Sequence, residues 1–170
     1  MARTALITSI LCCFVLASQA AAQRLTPETR EGVAQAQFTI TGKIGKKSFH
    51  ASGSGVCQHA ADASIRGISA SLWMVRYDGS TESALRQLNL TLWRPKDGGP
   101  DQLSLQIATG SRDHRIDTGG EGNQKGEGSV TIIPNGPGGR LELNGKESEG
   151  KPVQLTIECP SFAGVEAEGG

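Results

Sequence analysis

Apolar and polar side chains alternate in most segments between residues 37 and 159. The first such stretch keeps one parity on each side of a turn at Gly45-Lys46-Lys47. Its members are Phe38, Ile40, Gly42 and Ile44 before the turn, and Phe49, Ala51, Gly53, Gly55 and Cys57 after it. Because a period of two places one face of a strand in a core, the pattern predicts a β-hairpin whose second strand ends at Cys57.

Later segments show the same period. Residues 65–77 favour a strand by their β-branched and aromatic content, with a helix as the alternative. A turn at residues 95–100 separates two leucine-rich stretches, which predict the clearest hairpin of the chain. Three more strands are predicted, and they carry Val130 and Ile132, then Leu141 and Leu143, then Val153, Leu155, Ile157 and Cys159.

These segments predict an all-β domain over residues 37–163. About eight to ten short strands with turn signals between them indicate an antiparallel β-sandwich or barrel. Residues 23–36 and 164–170, at the two ends, are rich in small and polar side chains and predict flexible tails. Residues 117–128 are rich in glycine and have no large apolar side chain, so we expect a mobile loop there.

Residues 1–22 have the three parts of a secretory signal peptide. A basic start at Arg3 precedes an apolar run over residues 5–17, and Ala20 and Ala22 are spaced as at a signal cleavage site. The apolar run is shorter than the roughly 20 residues of a transmembrane helix. We therefore expect cleavage after Ala22, a secreted or periplasmic mature chain and no membrane span.

Two of the four cysteines remain in the predicted mature chain. Cys12 and Cys13 lie inside the apolar run, after residues that are too bulky for lipoprotein cleavage. Cys57 shares the parity of the apolar residues before it, and Cys159 shares that of Val153, so both side chains are expected to point into the core. An isolated pair in an oxidising compartment typically forms a structural bridge, and we predict one disulfide between them.

The charge balance argues against two classes of partner. The chain has 17 basic and 17 acidic residues, and removal of residues 1–22 leaves 16 and 17, because Arg3 is the one charged residue removed. Such a near-neutral sum gives no electrostatic basis for binding a nucleic acid or an anionic membrane surface.

The sequence contains no recognised motif for catalysis, cofactors or metals. The nucleophile motif G-x-S-x-G is absent, and the glycine-rich stretch lacks the phosphate-binding pattern G-x-x-x-x-G-K-[ST]. The nearest approach to a metal site is Cys57 with His59 and Asp62, a set that a solvated loop also explains. We therefore predict no catalytic residues, no cofactor and no metal.

One charged run is the candidate for ligand contact: Arg112, Asp113, His114 and Arg115. A charged, exposed hairpin is the favoured interpretation of the same residues, and ligand contact is the alternative. On a strand, Asp113 and Arg115 would lie on one side and His114 on the other, so the run would not converge on one point.

The aromatic residues Trp73, Trp93 and Tyr77 allow two interpretations. They could form a sugar-stacking platform, or they could pack in the core. Each tryptophan lies across its strand from a set of aliphatic side chains, as in a two-layer core, so we favour core packing.

Several stretches together follow the layout of a known family. They are a hairpin ending in cysteine (FTITGKIGKKSFHASGSGVC), a glycine-rich middle, GSVTI, GGRLELNGKESEG, and a closing strand with the second cysteine (VQLTIEC). In this order they resemble small exported β proteins of the mycobacterial 19-kDa lipoprotein antigen type. The resemblance implies a disulfide-bridged β-sandwich on the cell envelope, without enzymatic activity. The chain departs from that family in having no acylatable cysteine at its cleavage site.

The function favoured by the sequence is that of an exported, non-enzymatic β protein. It would bind a partner protein or a small ligand in the periplasm or outside the cell. One alternative is a hydrolase or metal-dependent enzyme assembled from scattered residues such as His59, Asp62, Asp113 and His114. Another is a structural or adhesive component of the envelope.

Overall fold

The computed structural model describes residues 36–65, 67–110, 112–119 and 124–165. The predicted signal peptide lies outside these residues, as do the predicted N-terminal tail up to residue 35 and residues 166–170 of the C-terminal tail. Residues 120–123 of the predicted mobile loop also lie outside them.

The described residues form strands and connections, without a helix. The strands are β1 (Ala36–Ile44), β2 (Lys47–Ile65), β3 (Ile68–Asp78), β4 (Gln87–Pro95), β5 (Gln102–Thr109), β6 (Arg112–Asp117), β7 (Glu127–Asn135), β8 (Gly138–Lys146), β9 (Pro152–Cys159) and β10 (Ala163–Gly164). The all-β prediction is therefore confirmed, and the helical alternative for residues 65–77 is wrong.

All ten strands belong to one sheet, in the order β6-β5-β4-β3-β2-β1-β9-β8-β7. Neighbours on this path are antiparallel, and the short β10 adds to β2 in parallel. The sheet curls into a half-barrel, so its concave face meets itself across the core. The sequence predicted a β-sandwich or a barrel. The single curled sheet corresponds to the barrel and not to the two-layer sandwich.

The two hairpins with the clearest patterns form as predicted. In the first, Ile44 pairs with Lys47 across a two-residue turn, where Gly45 has a φ of 61° that favours glycine. In the second, β4 and β5 pair along their leucine-rich stretches, with Leu90 opposite Leu105. Local alternation and turn chemistry were therefore sufficient to place these strands.

The second strand is longer than its pattern indicated. β2 continues to Ile65, so the predicted end at Cys57 is wrong. The strand predicted over residues 65–77 is present as β3, which begins at Ile68. The additional residues pair with β3 across a β-bulge after Ala60. Their small and polar side chains show no apolar alternation, so their pairing with β3 decides their structure.

The core consists of the inward-facing rows of these strands. Its largest fully buried side chains are Ile40, Leu85, Leu88, Leu90, Leu92, Leu103, Leu105, Ile107, Ile116, Leu141, Leu143 and Ile157. Each fully buried side chain of this kind contributes about 1.5–3 kcal/mol by its removal from water. Burial of the concave face thus stabilises the curl.

The two tryptophans pack on opposite faces of the sheet. Trp73 belongs to the inner core, whereas Trp93 lies on the outer face in a small cluster with Ala70 and Leu72. Both indoles are only 9% exposed. The favoured packing of both tryptophans against apolar side chains is therefore present, and the alternative stacking platform does not form from Trp73 and Trp93.

The disulfide between Cys57 and Cys159 is present in the structure, with both cysteines buried. It joins β2 to β9, the two neighbours of β1. Strands that flank a third strand are about 9–10 Å apart, yet the two Cα atoms are 6.1 Å apart. The β1–β9 ladder begins at Thr39, so β2 and β9 converge beyond it and the disulfide ties them there.

Removal of this disulfide should strongly destabilise the fold. It closes a loop of 102 residues in sequence separation, and loss of such a bridge typically costs about 2–5 kcal/mol, chiefly through the freedom regained by the unfolded chain. We expect the double variant Cys57→Ser/Cys159→Ser to lose that free energy of unfolding, measured by urea denaturation. Reductant should destabilise the native protein and leave the double variant unchanged. If the native protein and the double variant have equal free energies of unfolding without reductant, the prediction is contradicted.

Candidate functional site

A cavity of about 660 Å³ opens at one end of the half-barrel. We call it the mouth cavity. The β1–β2 turn, the β3–β4 connection, the β5–β6 turn and the β8–β9 turn surround it. Its lining residues are Ile44, Gly45, Lys46, Lys47, Ser48, Phe49, Ser83, Ala84, Thr109, Gly110, Arg112, His114 and Lys151.

The lining follows from the alternation of the strands. Inward-facing positions recur every second residue, so each apolar row of the core continues to the mouth. The row of β9 reaches Lys151 two residues before Val153, and the row of β6 that contains Ile116 and His114 reaches Arg112. Cations therefore occupy positions whose parity is that of the core.

Phe49 contributes an aromatic ring to the lining of the mouth cavity. It pairs with Gly42 of β1, and its ring lies over that glycine. A Cβ atom at Gly42 would overlap the Phe49 ring and lie 2.6 Å from Cδ2 of Leu155. Glycine at this inward position therefore makes room for the aromatic ring between the core and the cavity.

A buried chain of hydrogen bonds borders the cavity. Nδ1 of His114 lies 2.8 Å from Oε1 of Glu147, and Nε2 lies 3.1 Å from Oγ1 of Thr109. The His114 and Glu147 side chains are 8% and 11% exposed. Because a carboxylate only accepts, Nδ1 carries the hydrogen and donates to Glu147, and in the neutral ring Nε2 accepts from the Thr109 hydroxyl.

These hydrogen bonds join parts of the sheet that are distant in sequence. His114 belongs to the edge strand β6, whereas Glu147 follows β8 and also pairs with Lys151 at 3.4 Å. The contact therefore fastens β6 to the β8–β9 turn. The order of hydroxyl, imidazole and carboxylate is also that of nucleophilic hydrolases, in which the imidazole removes the hydroxyl proton.

The charged run predicted for ligand contact divides as its parity indicated. Arg112 and His114 line the mouth cavity, whereas Asp113 and Arg115 are exposed on the other face of β6. Arg115 forms an ion pair with Asp117 at 3.1 Å. His114 is only 7% exposed, so the interpretation of an exposed strand is wrong at that residue.

The scattered residues of the enzyme alternative are not brought together. Asp113 faces outward, and Asp62 lies at the bulge of β2, where its carboxylate pairs with Lys96. His59 stacks on Trp73 with ring centroids 4.5 Å apart. Among the residues that the structure describes, no group of three or more His, Cys, Asp or Glu side chains is placed to hold a metal ion.

The two histidines of that set, His59 and His114, lie toward opposite ends of the strands. Backbone pairing places His59 level with Leu92 of β4 and His114 level with Leu88 of the same strand. Four residues of strand separate these levels, which corresponds to about 13 Å. A single site cannot use both imidazoles.

Stacked side chains lie toward the end opposite the mouth. The Arg94 guanidinium carbon lies 5.4 Å from the centroid of Trp73, which also stacks on His59. Asp101 accepts hydrogen bonds from Arg94, and these raise the pKa of the guanidinium against the opposing effect of burial. The cation therefore remains charged over the aromatic ring.

Sequence reasoning missed several residues of the site. The alternation of the sequence, continued to the strand ends, places the cations Lys47 and Lys151 at positions with the parity of the core. Thr109 and Glu147 had no such signal, because their contact with His114 depends on a register that joins distant strands.

A scan against protein-family models, a search of curated proteins and a search of solved structures each found no match. The resemblance to the 19-kDa lipoprotein antigen type therefore stays a prediction. In the described part of the chain, no helix has the length and apolar character needed to cross a membrane.

The contact between His114 and Glu147 should contribute measurably to stability. Replacing one partner leaves the other buried without its hydrogen bond, at about 1–3 kcal/mol. We expect His114→Ala and Glu147→Ala each to lower the free energy of unfolding by that amount. The double variant should lose less than the sum, by about 0.5–3 kcal/mol.

Asp113→Ala is the matched control, because its exposed carboxylate neighbours His114 in sequence and should change stability by less than about 0.5 kcal/mol. Additive losses in the double variant would show that the pair does not act as a unit. Hydrolysis of p-nitrophenyl acetate by the native protein, abolished by His114→Ala, would instead give the chain a catalytic role.

Proposed function

We propose that this chain is an exported, non-enzymatic binding protein that takes a small ligand in the mouth cavity. The observation that carries the proposal is the cavity itself, whose volume of about 660 Å³ lies in the usual range of ligand sites, about 300–1,000 Å³. A few polar groups converge there beside apolar surface, which supports a small ligand over a flat protein interface.

Export to the periplasm or outside the cell is the second part of the proposal. The signal-like residues 1–22 support it, and so does the disulfide between Cys57 and Cys159, because disulfides persist in oxidising compartments. A single small domain fastened by one such bridge is suited to that environment.

Export predicts a defined N-terminus. When the chain of residues 1–170 is produced in a bacterial host, protein from the periplasm or medium should begin at Gln23, by N-terminal sequencing and intact mass. Ala20→Arg/Ala22→Arg is the control, because large cations at the cleavage site should block processing. Recovery of a cytoplasmic chain that keeps Met1 would contradict export.

Binding in the mouth cavity can be measured with a neutral fluorescent probe, N-phenyl-1-naphthylamine. We expect saturable binding at one site per chain. Ala84→Trp should weaken that binding by at least about tenfold, since an indole at this lining position would occupy the cavity.

Thr131→Trp is the control, because Thr131 is exposed on β7 and does not line the cavity. It should bind the probe as the native protein does. Equal affinity in both variants would contradict the proposal, and so would absence of saturable binding of both this probe and its sulfonated counterpart, 8-anilino-1-naphthalenesulfonate.

A further inference from the structure

Three inward-facing rows of the sheet end in a cation at the mouth cavity. Lys47 precedes Phe49 in the row of β2, Arg112 precedes His114 in that of β6, and Lys151 continues that of β9. Elsewhere in these strands, positions of the same parity carry apolar side chains. Lys47 and Arg112 are exposed at these strand ends, and their parity directs them toward the concave side of the sheet.

These cations are largely uncompensated. Lys151 pairs with Glu147 at 3.4 Å, but Lys47 and Arg112 form no ion pair within the described part of the chain. The described lining contains four cations, with Lys46 in the turn, and no acidic side chain. The chain as a whole has 17 residues of each sign, so positive charge is concentrated here.

The same cavity presents apolar surface. Ile44, Phe49 and Ala84 contribute side chains to its lining, and Phe49 also packs against the core. A purely polar anion would leave this surface in water, and a neutral apolar molecule would leave the cations without a partner.

We propose that the ligand of the mouth cavity is a small amphipathic anion, with one acidic head group on an apolar body; this rests on the proposed function. Lys47 and Arg112 bind the head group, and the apolar body lies against Phe49 and Ala84. A fatty carboxylate of medium chain length has this chemistry.

Two pairs of probes separate the charge from the apolar body. The first is 8-anilino-1-naphthalenesulfonate with N-phenyl-1-naphthylamine, which differ by the sulfonate, and the second is decanoate with decanol as competitors. We expect the sulfonated probe to bind about tenfold or more tightly than its neutral counterpart, the size of one charge-assisted hydrogen bond. Decanoate should displace it at lower concentration than decanol.

The variant Lys47→Gln/Arg112→Gln should lose this preference while it keeps affinity for the neutral probe. Lys43→Gln/Arg76→Gln is the matched control, because it removes the same charge from exposed positions outside the cavity. The control should keep the preference. Added salt should weaken binding of the anionic probe more than that of the neutral one.

Each other outcome overturns the inference. If the neutral probe binds in the mouth but the sulfonate adds no affinity, the anion preference is wrong and the proposed function stands. If inorganic phosphate competes as well as decanoate, the ligand is a simple anion without an apolar body. If neither naphthalene probe binds, the proposed function fails as well.

Discussion

The structure depends on the curl of one sheet, which brings its two edges close to each other and buries the concave face. Asp117 at the end of the edge strand β6 and Lys125, two residues before the edge strand β7, form a bridge with backbone hydrogen bonds of 2.8 and 2.9 Å. Beside it, a Cβ atom at Gly145 would lie 2.8 Å from Cδ1 of Ile116, and one at Gly128 3.5 Å from Cγ2. Gly145 therefore leaves room for the Ile116 side chain where the two edges approach each other, whereas a Cβ atom at Gly128 would lie at an ordinary contact distance from it.

Two further contacts hold the curl at places where backbone pairing ends. The disulfide joins β2 and β9 beyond the start of the β1–β9 ladder, where β10 adds to β2. On the other side of the sheet, His114 and Glu147 fasten β6 to the β8–β9 turn. The first acts mainly by restricting the unfolded chain, and the second by satisfying buried polar groups in the folded one.

The two ends of the half-barrel differ in a way that bears on function. At one end Trp73 stacks on His59 and also contacts the Arg94 guanidinium. At the other end the inward rows stop at Lys47 and Arg112 around a cavity. Since the interior between them is packed with leucine and isoleucine, the proposed ligand would lie at the mouth rather than within the core.

The sequence by itself determined the local features of this protein. Alternation and turn residues predicted the β1–β2 and β4–β5 hairpins, and parity turned Cys57 and Cys159 toward the core, because both depend on neighbours a few residues away. Only the tertiary structure decided that β2 extends to Ile65, and it alone placed His114 on Glu147. These features depend on which distant strands pair and in which register, and burial of the whole concave face selects that register.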